Sequence, residues 1–178
     1  TPSEAQPRKA PAPTKKQARP NGLLLVEYLN AYCPHCRKTH KRLEQVLDES
    51  GTPVRKRRVY TWGSNDYPLW ARACAYAQTV GLEEQMFHQL MYARGQSRRE
   101  VVAAGKRAGL DVNALQKALS QRTPPQRLVR DRALVQRARL RMLPTIDIGR
   151  RRLQGEQSSS ELRNAVRVAQ RQFMAQAN

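Results

Sequence analysis

The sequence contains only three cysteines, and this scarcity excludes most of the metal sites that cysteine pairs build. Cys33 and Cys36 form one CxxC pair, and Cys74 stands alone. A zinc ribbon needs a second ligand pair at similar spacing, and an iron–sulfur cluster needs four thiolates. A c-type haem needs a histidine directly after the second cysteine, where this chain has Arg37. We predict no metal, although a site of Cys33, Cys36, His40 and a fourth ligand stays open as the weaker alternative.

Acidic residues are also scarce. Asp and Glu number 14 against 33 Lys and Arg, which gives a formal charge of +19. Such a field attracts anionic partners without specifying them. The basic residues are spread over several predicted helices and no nucleic-acid-binding motif accompanies them, so we predict no specific nucleic-acid partner. The charge favours a solvated basic surface, and an anionic membrane or an acidic protein surface is the alternative partner.

Long apolar runs are absent. The longest clear one, residues 23–26, is far shorter than the roughly 20 residues that cross a bilayer. Residues 1–22 mix five prolines with Ala, Lys, Arg and Gln, which predicts a disordered Pro/Ala/basic linker. A leader of this kind often follows a cleaved signal or a membrane anchor. We therefore expect a periplasmic or otherwise extracytoplasmic protein, with anchoring through a segment outside this chain as a further hypothesis.

The CxxC pair directly follows an apolar run, and this context indicates redox chemistry. Residues 23–30 are predicted to form a buried strand, and the next helix begins at the pair, so both sulfurs lie in its first turn. Unpaired N–H groups and the helix dipole favour a thiolate at such a position. We predict that Cys33 is the exposed nucleophile and Cys36 the buried resolving thiol. A permanent disulfide that staples the helix start is the alternative.

The neighbours of the pair suit the same chemistry. Pro34 fits the first helical position, where its missing N–H costs nothing. His35 can direct an N–H or a positive charge toward the Cys33 sulfur, and the alternative is a solvated loop histidine. Glu27 lies in an otherwise apolar strand, which favours its neutral form and makes it a candidate proton acceptor for Cys36. The alternative for Glu27 is an outward-facing carboxylate paired with an arginine.

Periodicity in the rest of the chain predicts an α/β protein with a long helical insert. Residues 36–50 follow a helical period, and residues 54–60 are a candidate strand with an unusually basic interior. Residues 67–140 are predicted to be helical throughout. Residues 145–154 predict a strand hairpin, and a final amphipathic helix begins at residue 159 or 160.

These elements divide the chain into a core of residues 23–66 and 141–178 and a helical insert of residues 67–140. Within the insert, Ser97 is predicted to cap a helix in a capping box, and Cys74 is predicted to be a buried, inert thiol. His40 and His88 are interpreted as surface or packing residues. The insert and its junction are predicted to hold a core of large aromatic side chains, namely Trp62, Trp70, Phe87 and Tyr92.

With these elements in place, the chain resembles the thioredoxin superfamily, and within it the DsbA-type disulfide oxidoreductases. Residues 26–36 look like that family's acidic residue, aromatic strand end and CPHC centre. Residues 142–149 are similar to its second hallmark, a cis-proline that leads into a strand and a glycine turn. The resemblance covers roughly residues 23–175. It implies a thioredoxin-like fold with a long all-helical insertion between the second core strand and the cis-proline strand.

The same resemblance implies a function. The protein would be an enzyme that donates its Cys33–Cys36 disulfide to secreted, cysteine-containing proteins, with no cofactor beyond the cysteine pair and with a membrane redox partner. Pro144 would be the cis-proline and Leu143 would offer its backbone to an extended substrate, whereas a trans proline at a helix exit is the alternative. A reductase or isomerase with the same dithiol chemistry and a non-catalytic basic binding module are the alternative functions.

Overall fold

The computed structural model describes residues 22–175, which form a four-stranded mixed sheet surrounded by helices. The predicted linker of residues 1–22 lies outside the described residues except for Gly22. The strands are β1 (Leu23–Leu29), β2 (Val54–Tyr60), β3 (Thr145–Ile148) and β4 (Arg151–Gln154), in the order β2-β1-β3-β4. β1 pairs parallel with β2 and antiparallel with β3, and β3 pairs antiparallel with β4.

The central strand β1 leads directly into the first helix, α1 (Pro34–Ser50). Leu25 and Leu29 of β1 are completely buried, as expected for a strand with neighbours on both sides. The apolar positions of α1 fall three and four residues apart, so that one face packs inward while the other stays in water. The buried side chains of α1 are Cys36, Thr39, Leu43, Val46 and Leu47.

The basic strand β2 lies at an edge of the sheet, and this position explains its composition. Residues 55–57 are exposed, whereas the last three residues of the strand are buried. Charged side chains are a common feature of edge strands because they discourage pairing with other chains. Unlike the other basic residues of β2, Arg58 is buried. Its guanidinium pairs with Glu84 at 2.7 Å and lies 4.4 Å from the centroid of the Phe87 ring.

Five helices occupy the chain between β2 and β3. Their bounds are α2 (Leu69–Thr79), α3 (Glu83–Met91), α4 (Arg98–Arg107), α5 (Val112–Ser120) and α6 (Gln126–Ala138). The predicted capping box is present, because Ser97 Oγ accepts from the Glu100 N–H and the Glu100 carboxylate accepts from the Ser97 N–H. Helix α6 ends at Ala138, before the predicted end of the helical segment at residue 140, because Arg139 adopts a left-handed backbone conformation with φ 49°.

Two apolar clusters form the core. One lies among the helices α2–α5 and the carboxyl ends of β1 and β2, and includes Trp70, Phe87 and both buried cysteines. The other lies between the sheet, α1 and the final helix α7 (Ser159–Ala175). Tyr92 was predicted to join the aromatic core, but it is 68% exposed and packs beside the exposed His88. Among residues 22–175, no helix is both long and apolar enough to cross a membrane.

Candidate active site

Cys33 lies at the N-cap of α1, half-buried, immediately after the turn that leaves β1. Its Sγ accepts a hydrogen bond from the backbone N–H of Cys36 at 3.4 Å. Pro34 occupies the first helical turn as predicted, and no acidic residue lies in that turn. The positive end of the helix therefore faces the Cys33 sulfur, and no carboxylate of that first turn opposes it.

Cys36 lies one turn further into α1 and is completely buried. Both thiols of the pair are free in this structure. Burial raises the pKa of the Cys36 thiol well above its ordinary value, and the charge of Glu27 adds to this effect. The two sulfurs therefore differ as predicted in exposure. Cys33 is partly accessible from outside the protein, whereas Cys36 is shielded from it.

His35 has a partner that the sequence did not reveal. Its Nδ1 lies 2.6 Å from Oε2 of Glu156, which follows the β3–β4 hairpin. The ring was expected to direct an N–H toward the Cys33 sulfur, but the nitrogen whose hydrogen bond the structure records points to a carboxylate instead. Arg42 Nη1 also contacts Glu156, at 3.0 Å. The hydrogen bond from His35 is the main reason why the pKa of Glu156 is lowered.

Glu27 lies on β1 and is only 2% exposed, so the alternative of an outward-facing carboxylate is wrong. His40 Nδ1 is 3.0 Å from both carboxylate oxygens of Glu27, and Arg58 Nε is 3.9 Å from Oε2. The pairing with an arginine that the alternative foresaw is therefore present, but inside the protein. Glu27 as the proton acceptor of Cys36 stays a prediction.

The Leu143–Pro144 peptide bond is cis, as the sequence predicted. Tyr28 of β1 pairs with Thr145 of β3, so Pro144 lies beside the end of β1 from which the chain enters the CxxC turn. The Pro144 carbonyl accepts from the N–H of Gly155 at 2.8 Å, and Gly155 adopts φ +82°, a conformation that glycine takes without strain. The β3–β4 hairpin therefore holds the proline loop in place.

A groove of about 300 Å³ opens beside this loop. Leu143, Met142, Asn30 and Trp62 contribute to its lining. The indole N–H of Trp62 and the hydroxyl of Thr61, which also lines the groove, are buried and have no hydrogen-bond partner among the described residues. Unpaired buried polar groups of this kind are costly, and because both are shielded from solvent they offer no donor to a molecule in the groove.

Arg37 ties the helical insert to the CxxC turn. Its guanidinium donates to the carbonyl oxygens of Ala31 at 2.7 Å, Ala93 at 2.9 Å and Leu90 at 3.1 Å. It also lies 5.1 Å from the centroid of the Tyr32 ring. From the sequence, Arg37 served only to exclude a haem motif. Two of the carbonyl groups that it binds lie more than fifty residues away, so no pattern in the neighbouring sequence predicts these hydrogen bonds.

Cys74 is completely buried on α2, and burial raises the pKa of its thiol to about 12. A thiol that resists ionisation is a poor nucleophile, so this environment is that of an inert cysteine. Within residues 22–175, no group of three or more His, Cys, Asp or Glu side chains is arranged to hold a metal ion.

Comparisons with known proteins place this geometry in context. The family model described as thioredoxin matches residues 22–167. A thioredoxin-like oxidoreductase from Silicibacter pomeroyi is 23% identical with a TM-score of 0.73, and the match covers 85% of this chain and 88% of that one. The oxidoreductase DsbA from Xylella fastidiosa is 17% identical with a TM-score of 0.68, and 88% of each chain is covered.

A periplasmic thioredoxin-like protein from Salmonella enterica serovar Typhimurium is 17% identical with a TM-score of 0.68, over 86% of this chain and 87% of that one. Among curated proteins, none matches the sequence. At these identities the solved structures show a shared fold. The predicted fold class, a thioredoxin-like core with a long helical insertion, is confirmed.

Proposed function

The chain belongs to the thioredoxin family, and from this premise we propose that it donates the Cys33–Cys36 disulfide to cysteine-containing proteins. The observation that carries the proposal is the unequal exposure of the two thiols at the start of α1. Cys33 is accessible and accepts a hydrogen bond from the helix N-terminus, whereas Cys36 is completely buried one turn away. This arrangement suits a sulfur that exchanges with substrate and a second sulfur that closes or releases the disulfide.

The proposed reaction starts with a substrate thiolate that attacks the Cys33 sulfur of the oxidised protein. The Cys33–Cys36 bond breaks, and its electron pair goes to the Cys36 sulfur, which takes up a proton. A second substrate thiolate then attacks the substrate sulfur of the mixed disulfide and expels Cys33 as a thiolate. The substrate is oxidised to a disulfide, and the protein is reduced to a dithiol.

The direction of exchange is proposed from the electrostatics around Cys33. The first turn of α1 lacks acidic residues, and the carboxylate of Glu156, which contacts His35, is also paired with Lys38 and Arg42. A stabilised Cys33 thiolate makes the reduced form more stable and the disulfide a stronger oxidant. These contacts favour an oxidase over a reductase or isomerase with the same dithiol.

Substrate binding is proposed at the groove beside Leu143. An extended peptide there could pair with the backbone of Leu143. Apolar lining from Met142 and Leu143 suits the exposed hydrophobic side chains of unfolded chains.

We also propose an extracytoplasmic location, because protein disulfides form and persist in oxidising compartments. The periplasmic Salmonella protein of the same fold supports this location. A membrane redox partner would then accept electrons from the reduced Cys33–Cys36 pair and restore the disulfide.

The test is a turnover assay with reduced, unfolded ribonuclease. The oxidised protein should remove thiols from this substrate, Cys33→Ser should abolish the reaction, and Cys74→Ser should leave its rate unchanged. Binding to the substrate without thiol loss, unaffected by Cys33→Ser, would instead support a non-catalytic binding module. Failure of the oxidised protein to react, together with reduction of substrate disulfides by the dithiol form, would favour a reductase.

A further inference from the structure

His40 contacts the buried carboxylate of Glu27, yet the exchange reaction described above assigns it no task. Its Nδ1 is 3.0 Å from each oxygen of Glu27, and its side chain is 13% exposed against 2% for the carboxylate. The residues lie on two packed elements, His40 on α1 and Glu27 on β1. An imidazole at hydrogen-bond distance from a carboxylate can exchange a proton with it.

Cys36 and His40 lie four residues apart on α1, and Glu27 is within electrostatic reach of Cys36, because its charge adds to the burial that raises the pKa of the Cys36 thiol. Cys36 is completely buried and cannot exchange its proton with water directly. Every cycle nevertheless requires Cys36 to gain or lose a proton. The carboxylate is also buried, so the proton needs a further group that reaches solvent.

His40 is placed to be that group. It lines an open groove of about 340 Å³ between α1 and α3, together with Met91, Tyr92 and His88. Because Nδ1 faces Glu27, Nε2 is the ring nitrogen left for water in this groove. Phe87 packs edge to face against the imidazole at a centroid distance of 5.1 Å and fixes the orientation of the ring.

Several other charged groups surround His40. They are Arg37, Lys38, Lys41 and Glu44 on α1, Arg58 on β2, and Glu84 and His88 on α3. Among the described residues, the imidazole hydrogen-bonds to Glu27 alone. Arg58 is permanently charged, and its Nε, which lacks a hydrogen-bond partner within residues 22–175, stands 3.9 Å from Glu27. It can hold the carboxylate in place but cannot relay a proton.

We propose that His40 carries the proton between Glu27 and solvent whenever Cys36 is ionised or protonated. The inference rests on the proposed function, because it assigns a route to a proton that thiol-disulfide exchange must move. When Cys36 attacks the mixed disulfide at Cys33, its S–H proton passes to the Glu27 carboxylate. Its sulfur bonds to the Cys33 sulfur, and the electron pair of the broken bond leaves with the expelled substrate sulfur, which departs as a thiolate.

Glu27 then gives the proton to Nδ1 of His40, and the imidazolium releases a proton from Nε2 to water in the groove. The pair Cys33 and Cys36 is oxidised in this half-reaction and the departing thiol is the reduced product. The reverse sequence supplies the proton to Cys36 when a substrate thiolate opens the disulfide. His40 thus acts through Glu27 and does not touch the reacting sulfurs.

The test uses the reaction of the reduced protein with 5,5′-dithiobis(2-nitrobenzoate), which releases a coloured thiolate twice. The first release depends on reagent concentration and reports attack by Cys33. The second is first order and reports attack by Cys36 on the mixed disulfide. Stopped-flow absorbance separates the two phases on one sample, so each variant carries its own control for Cys33.

His40→Gln should slow the second phase about 10-fold at pH 7, less than the roughly 100-fold or more of a direct general base, and should leave the first phase unchanged. The difference in second-phase rate between His40→Gln and the parent should become smaller as the pH rises, because Cys36 then loses its proton without a carrier. His88→Gln, which changes the other histidine of the same groove, should alter neither phase. Glu27→Gln with His40→Gln should be no slower than the slower single variant, since both lie on one path.

Three results would overturn the proposal. They are a second phase in His40→Gln within twofold of the parent at pH 7, a slowdown that is constant across pH, and an equal slowdown in His88→Gln. A constant slowdown would mark a purely structural role for the histidine. Failure of the proposed function gives a different result, because the parent would then lack two phases or its first phase would survive Cys33→Ser.

Discussion

Cys33 and Cys36 share one helical turn but meet different surroundings. The Cys33 sulfur faces the positive end of α1, whereas Cys36 is surrounded by the apolar cluster of the insert. The first environment offers a backbone N–H donor to the Cys33 sulfur, and the second raises the pKa of the Cys36 thiol. At the scale of single residues, this contrast divides the work between a sulfur that meets the substrate and a sulfur that resolves the intermediate.

Removing the resolving thiol should trap the intermediate. In Cys36→Ser, attack by Cys33 on a substrate disulfide still forms a mixed disulfide, but no neighbouring thiol can release it. We expect covalent complexes to accumulate on non-reducing gels when the variant is expressed in an oxidising compartment. The double variant Cys33→Ser, Cys36→Ser should show no such complexes. Complexes that instead depended on Cys74 would show that Cys33 is not the nucleophile.

The pair between His35 and Glu156 should make stability depend on pH in a defined direction. Its main effect on Glu156 is to lower the carboxyl pKa in the folded protein. The ionised carboxylate therefore stabilises the fold above its unfolded pKa, and this contribution disappears as the pH falls through the folded pKa. Glu156→Gln should lower the denaturant midpoint at pH 7, and its difference from the parent should shrink as the pH falls through the folded pKa of Glu156. A difference that persists in acid would show that the charge is not responsible.

At the scale of elements, three features position the site. β1 lies inside the sheet, between β2 and β3, and α1 starts after its carboxyl end. The loop of Leu143 and Pro144, which leads into the β3–β4 hairpin, lies at the same end of β1. Arg37 adds the helical insert to this arrangement through the carbonyl groups of Leu90 and Ala93 at the end of α3. One side chain therefore connects the insert to the turn that carries Cys33.

Arg37→Met should weaken this connection. The variant keeps much of the apolar stem but leaves three backbone carbonyls without their charged donor. We expect a loss of about 2 kcal/mol in the free energy of unfolding, measured by denaturant melts, with faster amide exchange in α3. Lys38→Met, at the next and exposed position, should change stability by less than about 0.5 kcal/mol. Equal losses in both variants would contradict the role of the arginine.

The sequence predicted the elements whose signals are local. The apolar run of β1, the proline at the start of α1 and the capping box at Ser97 each involve neighbouring residues, and each was found. The partner of His35 could not be predicted, because Glu156 is 121 residues away and reaches it only through the placement of a hairpin. The burial of Glu27 behind His40 and Arg58 likewise depends on how α1 and β2 pack.

At the scale of the whole molecule, the formal charge of +19 acts on every approaching partner. Exposed basic residues on α1, such as Lys38 and Lys41, carry this field close to the CxxC turn. Fields of this kind raise the encounter rate of anions and lower that of cations, and salt screens both effects. Charge therefore affects which disulfides and thiols reach Cys33 quickly.

Two small disulfides of opposite charge should reveal this field. Oxidised glutathione is an anion, so the positive field should speed its reaction with the reduced protein. The rate of this reaction should fall several-fold between about 0.01 and 0.5 M salt, because salt screens the attraction. Cystamine, a cation, should show the opposite trend. Rates measured by stopped-flow fluorescence decide the matter, and equal salt dependence for the two probes would mean that the charge lies too far from Cys33 to matter.

The central claim is that the Cys33–Cys36 disulfide is a donor, and its reduction potential tests this most directly. Equilibrium with glutathione buffers, followed by alkylation of free thiols and mass spectrometry, measures the potential on the intact protein. The account predicts a value of about −180 mV or higher, in the range of protein disulfide isomerase and oxidases, because the helix terminus and basic surroundings stabilise the Cys33 thiolate. A potential near about −270 mV, that of thioredoxin, would contradict it and indicate a reductase.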